Sequence, residues 1–471
     1  MEKSASRRER QGWQQGNLIE LKVEDLSDSG DGVGRVEGRV VFIPDSVPGD
    51  RIAARLVRVK PTYATAKLHE LLAPSPHRVR PQCIVADKCG GCQWQSVAYE
   101  KQLEAKQNVV THAIARIGGI PDPPVDPVLS AREPFGYRNK ATYPLGISPT
   151  GKVQAGYYQK SSHKLVNLNQ CPVQDPHLNP LLAEIKQDIQ QRGWPIYREK
   201  THQGQLRHLS LQIGRRTGEI LLTLVVTDWE LPGIEAVARE WLQRYPQLVG
   251  VCLNCNPTRT NRILGDRTRC IAGKGFLLEE FAGVQLRLAS DTFFQVNTET
   301  AEALLHEIIA ELDLQGNEIL VDAYCGIGTL TLPLAKRVKQ AYGLEINPAA
   351  VEQARENARL NDLTNVAFYD GKVEELLPQW ETWGLAPGEK PDIALLDPPR
   401  KGCDRAVLDT LLELQPQRIV YVSCKSATLA RDLKILCQTG SYHLTRVQPA
   451  DFFPQTAHVE AAAFLVRERG H

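Results

Sequence analysis

The segment at 318–329, Glu-Ile-Leu-Val-Asp-Ala-Tyr-Cys-Gly-Ile-Gly-Thr, restricts the fold of this chain more than any other. A short apolar run ends in a turn with glycines at 326 and 328, and an apolar helical pattern follows at 330–335. A buried strand that passes through a glycine turn into a helix opens a βα unit. The pattern recurs: a strand at 340–345 precedes a helical pattern at 349–360, and further apolar strands end near Leu396 and Ser423. Strands alternating with helices predict an α/β fold from Asp291 onward, with a parallel sheet covered by helices on both faces.

At 471 residues the chain is too long for one ordinary core, and length alone predicts about three domains. Residues 16–72 are short-period and β-rich. The stretch at 17–23 alternates apolar and polar side chains, Gly30-Asp31-Gly32-Val33-Gly34 supplies turns, and 39–44 and 50–59 resume the strand pattern. A small barrel over 12–72 is the expectation. No Gly-Lys-Ser/Thr follows the glycines, which argues against a phosphate loop. Arg51, Arg55, Arg58, Lys60 and Lys67, with Tyr63 among them, form either an RNA-facing surface or a solvated charged face. Prolines at 74–81 mark a boundary. A central mixed α/β region is expected over 73–285, and the catalytic domain over 286–471.

Hydrophobic content of 42% and charged content of 24% exclude a disordered chain. A net charge of +1 gives no global field, so attraction to phosphate has to come from local basic patches. No apolar run reaches membrane-spanning length, and the N-terminus, with Arg7, Arg8 and Arg10, is polar. A cytoplasmic protein without a membrane partner is expected.

Glycines 326 and 328 allow a ligand to approach the backbone at the carboxyl end of the sheet. Glu345 ends the next strand, where a carboxylate can accept hydrogen bonds from both ribose hydroxyls of a nucleoside. Thr331 stands where a dinucleotide fingerprint would have its last glycine, which disfavours nicotinamide binding. The third element is Ile393-Ala-Leu-Leu-Asp397-Pro-Pro-Arg400, a buried strand that stops at an acid and prolines. Glycine turn, acidic strand end and Asp-Pro-Pro, in this order, resemble the class I S-adenosylmethionine methyltransferases.

An Asp-Pro-Pro-Arg segment equally suits methylation of exocyclic amines, so it does not name the methylated atom. Cys424 bears on that question. It follows the apolar strand at 418–423 and has Lys425 beside it to favour the thiolate. Uracil C5 is too weak a nucleophile to take a methyl group from a sulfonium, but thiolate addition at C6 turns the ring into an enolate that can. A base must then remove the C5 proton. Glu460, in an apolar strand-like segment, is the candidate, an exposed edge-strand carboxylate being the alternative.

Cys83, Cys89 and Cys92 are spaced C-x5-C-x2-C around Gly90-Gly91, and Cys171 precedes Pro172. Four thiolates meet the demand of an iron–sulfur cubane or of a structural zinc. Cys252 and Cys255 lack a second pair and are read as ordinary thiols.

With these motifs in place the chain resembles the RNA uracil-5-methyltransferase family, close to its 23S rRNA branch, over most of its length. Phe293-Phe294-Gln295-Val296-Asn297 resembles the family's Phe-x-Gln-Val-Asn signature, Ser423-Cys424-Lys425 its nucleophile motif, and Phe453-Pro-Gln-Thr-Ala-His458-Val-Glu460 the motif that carries the base. The resemblance implies a TRAM-type barrel, S-adenosylmethionine held by Gln295, Tyr324, Glu345 and Asp397, and catalysis by Cys424 and Glu460. It also implies a [4Fe–4S] cluster on Cys83, Cys89, Cys92 and Cys171, and a monomer acting on RNA, 23S rRNA in that branch. Phe293 is the candidate to stack on a flipped-out uracil, a core aromatic being the alternative. Thr329 and Lys425 stand where many relatives have Asn. Rival readings are a tRNA uracil-5-methyltransferase, whose branch generally has neither barrel nor cysteine cluster, and a noncatalytic RNA-binding iron–sulfur protein.

Overall fold

A computed structural model describes residues 13–382, 389–438 and 440–468. Arg7, Arg8 and Arg10 lie outside the described residues. The chain divides into two compact units, one of residues up to 87 with 92–105 and 455–457, the other of 88–91, 106–454 and the chain from 458. No helix among the described residues is long and apolar enough to cross a membrane.

In the first unit, strands Leu18–Leu26, Gly32–Val36, Arg39–Ile43, Arg51–Val59 and Tyr63–Ala73 close into a barrel. Period-2 alternation sends Leu21, Val23, Val41, Ile43, Ile52, Ala54, Leu56, Ala64 and Ala66 inward. The same alternation leaves Arg51, Arg55, Arg58, Tyr63 and Lys67 exposed on the outside. Tyr63–Ala73 is a strand of its own, which pairs parallel to Arg39–Ile43 and antiparallel to Arg51–Val59. Its inward residues at the start are alanines, too small to print an apolar alternation on the sequence. Trp94 joins this unit, and its Nε1 donates to the Gly30 carbonyl at 3.0 Å.

The second unit holds two large sheets. In the first of them the strands run Arg267–Gly273, Leu248–Cys255, Ile220–Val226, Leu206–Ile213, Lys140–Ile147, Val153–Tyr158 and Leu165–Asn167 from one edge to the other. Register pairs Lys140 with Gln212, Thr142 with Ser210 and Pro144 with His208, so one face of this sheet is polar. Leu209 and Leu211 alternate to the opposite face and are buried.

The second sheet is doubly wound. Ile319–Ala323, Gln340–Glu345, Val366–Asp370, Ile393–Leu396 and Arg418–Ser423 are parallel neighbours, and Glu460–Arg467 inserts antiparallel between Arg418–Ser423 and Tyr442–Ala450. Residues of one parity, such as Leu320, Leu395 and Val420, share a core with Leu304, Leu305 and Ile308 of helix Thr298–Leu312 and Val351 and Ala354 of helix Pro348–Leu360. Those of the other parity, such as Val321, Leu396 and Tyr421, pack with Val407 and Leu411 of helix Arg405–Leu414 and Leu429 and Leu433 of helix Ser426–Gln438. Helices therefore cover both faces, as the alternating pattern predicts. The strand order reverses between Ile319–Ala323 and Ile393–Leu396, and at such a switch point the helices diverge and leave a crevice at the carboxyl ends.

Candidate active site

The crevice is floored by the turn after Ile319–Ala323. Tyr324 takes a left-handed φ of 77°, a conformation that costs a non-glycine residue of order 1–3 kcal/mol and that concentrates at functional sites. Its N–H and that of Cys325 both donate to the Leu344 carbonyl at 2.9 Å, which binds the turn to the neighbouring strand. The Tyr324 hydroxyl hydrogen-bonds Cys403, and burial with that partner pushes the phenol up. A methyl group on Gly326 would meet no atom within 4 Å, so a ligand has open space there. The Gly326 N–H donates to Glu345 Oε2 at 3.1 Å and the Asn347 N–H to Oε1 at 2.8 Å. These bonds fix the carboxylate at its strand end without using all of its lone pairs.

Asp322, which the sequence motifs did not single out, lies under the turn. Thr331 Oγ1 donates to its Oδ2 at 2.5 Å, while its Oδ1 is buried with no hydrogen-bond partner. Burial pushes Asp322 up to about 7; the Thr331 bond opposes this, and the charges of Asp397 and Glu345 add to it. Burial likewise pushes Asp397 up to about 7. An acidic crevice of this kind is complementary to a cation.

Cys424 and Glu460 reach the same end of the sheet by register. Ser423 pairs with Ala461 across adjacent antiparallel strands, so the residue after one strand meets the residue that begins the other. Glu460 is buried on an inner strand, which removes the exposed-edge alternative. Burial pushes it up to about 8, with Asp397 raising it further and Arg400 opposing. The Cys424 thiol is raised by burial and by Glu460 and held back by Arg400, which also hydrogen-bonds it. Arg400 is thus the cation with the largest effect on the thiol. Lys425, which the sequence places next to the thiol, also acts on His458.

Arg400 is positioned from below. Asp432, fully buried in helix Ser426–Gln438, accepts from Tyr421 Oη at 2.6 Å and from the Cys403 N–H at 3.0 Å, and so ties the 397–403 loop to strand Arg418–Ser423. Thr428 Oγ1 donates to the Arg400 carbonyl at 3.3 Å. Gly402 has a φ of 79°, and a Cβ there would fall 2.5 Å from Arg431 Nη2 and 2.6 Å from Asp432 Oδ2. Arg400 stood in the Asp-Pro-Pro-Arg segment, but its task appears only when the loop closes onto the helix that carries Asp432.

Gln295 is placed by a separate set of contacts. It is buried, and its carbonyl accepts from Asn139 Nδ2 at 2.9 Å. Two residues on, Asn297 caps helix Thr298–Leu312 by accepting from the Thr300 N–H at 3.2 Å. Phe294 is buried edge-to-face against Phe281, whereas Phe293 is 68% exposed, so Phe293 is not a core aromatic.

Among the described residues no group of three or more His, Cys, Asp or Glu side chains is placed to hold a metal. Of the four expected thiolates, those of Cys83 and Cys92 are half-buried. Cys89 and Cys171 are both buried, and both act on the Tyr157 phenol, which burial above all pushes up. Gly91 lies against Cys89 and Tyr157: a Cβ on it would stand 3.5 Å from Cys89 Sγ and 3.7 Å from the Tyr157 ring.

Residues 280–468 match the family of tRNA (uracil-5-)-methyltransferases, and residues 12–69 match the TRAM domain. The chain is 67% identical over 454 residues to an RNA methyltransferase of Nostoc sp., covering 96% of this chain and 97% of the relative. It is 54% identical to an RNA methyltransferase of Synechocystis sp. over 97% of both chains. Among solved structures, the Pyrococcus abyssi tRNA (uracil-54, C5)-methyltransferase in complex with S-adenosyl-L-homocysteine superposes with a TM-score of 0.75 at 28% identity, covering 95% of this chain and all of that one. The doubly wound domain with its acidic crevice, the N-terminal barrel and these likenesses agree, and the chain belongs to the RNA uracil-5-methyltransferase family and carries a TRAM domain.

Proposed function

We propose that this protein methylates C5 of a uracil in RNA, with Cys424 as covalent catalyst, Glu460 as base and S-adenosylmethionine as methyl donor. The observation that carries the reading is the meeting of a buried carboxylate and a thiol at the end of two antiparallel strands, beside an acidic crevice. Gln295, Tyr324, Glu345 and Asp397 would hold the donor, which supplies an electrophilic methyl group on a cationic sulfur. The open space at Gly326 and the acids Asp322, Glu345 and Asp397 suit such a ligand.

Cys424 Sγ adds to C6 of the ring, the C5–C6 π pair moves toward C5 and O4, and the enolate formed is nucleophilic at C5. Once C5 carries the methyl group, Glu460 takes the C5 proton. The electron pair released re-forms the C5–C6 double bond and expels the Cys424 thiolate. A carboxylate pushed up to about 8 is a stronger base than an ordinary one, which suits a carbon acid. Arg400 favours the thiolate, and exposed Phe293 is available to stack on the base.

We also assign a [4Fe–4S] cluster to Cys83, Cys89, Cys92 and Cys171, on the strength of their spacing and of the burial of Cys89 and Cys171 beside one phenol. Its role is to order the loop around Gly90-Gly91 rather than to carry electrons.

The resemblance to the 23S rRNA branch makes 23S rRNA the first substrate to test. A second reading, tRNA, is favoured by one observation: the tRNA enzyme of Pyrococcus abyssi matches 95% of this chain, so a whole-length likeness does not separate the two substrates. Mass spectrometric mapping of 5-methyluridine in rRNA and tRNA from cells with and without the gene decides between them. Loss of a methyl group from guanine or adenine instead would refute the reading.

A further inference from the structure

The polar face of the Lys140–Ile147 and Leu206–Ile213 sheet borders a cavity of about 570 Å³, large enough for a small organic ligand. Its lining carries Arg138, Lys140, Arg207 and Arg262 against the carboxylate of Glu199, and Arg262 is itself paired with Asp266 at 2.6 Å, so the excess charge is positive and an anion fits it. Arg207 is nearly buried. Its Nη1 donates to the carbonyls of Asn256 at 2.7 Å and Thr258 at 2.8 Å, its Nη2 donates to Thr260 at 3.2 Å, and its guanidinium lies 4.7 Å over the Tyr197 ring. Carbonyls and a ring hold the group rigidly but leave its charge uncancelled. Its Nε is buried without a hydrogen-bond partner, and so is Nδ1 of His208.

Aromatic rings face the same space. Tyr158 and His163 lie with ring centroids 5.3 Å apart, and Glu199 receives the Tyr158 hydroxyl at 3.4 Å. Burial and Arg207 hold His208 down to about 4, so its imidazole is neutral. Cations joined to aromatic rings are the composition of a single-strand nucleic-acid site, in which phosphates meet the charges and bases stack. Two lining residues relate the cavity to the proposed catalytic centre. Arg138 and Val296 line it, and Arg138 acts together with Arg400 and Lys425 on His458, two residues before Glu460.

We propose that this cavity is a second nucleotide subsite, which takes the base and phosphate of a single-stranded RNA residue flanking the uracil presented to Cys424. The inference rests on the reading of the chain as an RNA uracil-5-methyltransferase. Continuity with Arg138 favours a residue of the same strand over a free nucleotide. The subsite would make the enzyme select an unpaired flank, because a paired base cannot enter a cavity of this kind.

The test uses the full chain and an oligouridylate of about 16 nucleotides carrying 5-iodouridine. The variants are Arg262→Glu and Tyr158→Leu, neither of them among the proposed catalytic or donor-binding residues. Each should weaken binding about ten-fold, and Arg262→Glu should also reduce the salt slope by about 1. Irradiation should crosslink the RNA to Tyr158 or His163 in the unaltered protein. Unchanged affinity in both variants, with crosslinks confined to other segments, would overturn the subsite. So would competition by uridine monophosphate that abolishes the crosslink at stoichiometric concentration, since the ligand would then be a free nucleotide. The product nucleoside is read separately: crosslinks at Tyr158 from a protein that makes no 5-methyluridine would uphold the subsite and remove the assigned activity.

Discussion

Ser423 and Ala461 are register partners, and through them Cys424 and Glu460 occupy the same end of two antiparallel strands. The pairing explains why the proposed nucleophile and base, separated by 36 positions, need no long side chains to reach one ring. It also couples their titrations. Each carries a pKa raised by burial, each is adjusted by Asp397 and Arg400, and a negative charge on either makes one on the other harder to form.

Arg400 is the first consequence. Removing its charge leaves the thiol with burial and Glu460, both of which disfavour thiolate. Arg400→Ala should therefore move the pH midpoint of Cys424 alkylation by iodoacetamide upward by about one unit, whereas Lys425→Ala should move it less. Equal shifts for the two variants would return the role to Lys425.

Stability should depend on pH in a stated direction. Asp322, Asp397 and Glu460 have folded values of about 7, 7 and 8 against ordinary values near 4, so the folded protein binds more protons than the unfolded chain between these limits. The stabilisation is complete below about pH 4 for these groups and is lost as pH rises through 7 to 8. Glu460→Gln should flatten this decline, raising the melting temperature at pH 8.5 relative to the parent and changing it little at pH 5. A parent protein whose melting temperature climbs steadily from pH 5 to pH 8.5 would contradict the sign.

Anaerobically purified protein should contain about four irons per chain. Cys89→Ser and Cys171→Ser should each abolish them, as loss of one thiolate ligand destabilises a cubane. Zinc in place of iron, at one ion per chain, would replace the cluster by a structural zinc site.

The barrel should supply RNA affinity without chemistry. Deleting it is a poor test, since Trp94 donates to Gly30 within that unit and would lose its partner. Reversing the outward charges as Arg51→Glu, Arg55→Glu and Lys67→Glu leaves the interior intact. The triple variant should bind RNA with a salt slope shallower by about 3. An unchanged slope would make this surface a solvated face.

Much of this was legible in the sequence, and what was not has definite causes. The glycine turn, Glu345 and Asp397 announce themselves because strand ends in a parallel sheet are apolar runs cut short by glycine, acid or proline. Strand Tyr63–Ala73 did not, since Ala64 and Ala66 face the interior. The part of Arg400 was likewise hidden, because adjacency in the chain places Lys425 beside the thiol while the Asp432 tether brings Arg400 to it through space. Asp322 looked like one strand residue among others, and its meaning comes from burial beneath the turn. The cavity beside Arg207 depends on strands and loops spread from Arg138 to Val296, which no local motif joins.

The most direct measurement compares Cys424→Ala with Glu460→Gln on a denaturing gel, using RNA labelled in its phosphates and a methyl donor labelled in its methyl group. Without the thiol C5 is never activated, so Cys424→Ala should bind RNA but show neither label in a slow band and yield no product. Without the carboxylate the methyl group is transferred but the C5 proton remains, so Glu460→Gln should accumulate one slow band carrying both labels. A covalent adduct in Cys424→Ala, or normal turnover by Glu460→Gln, would contradict the account.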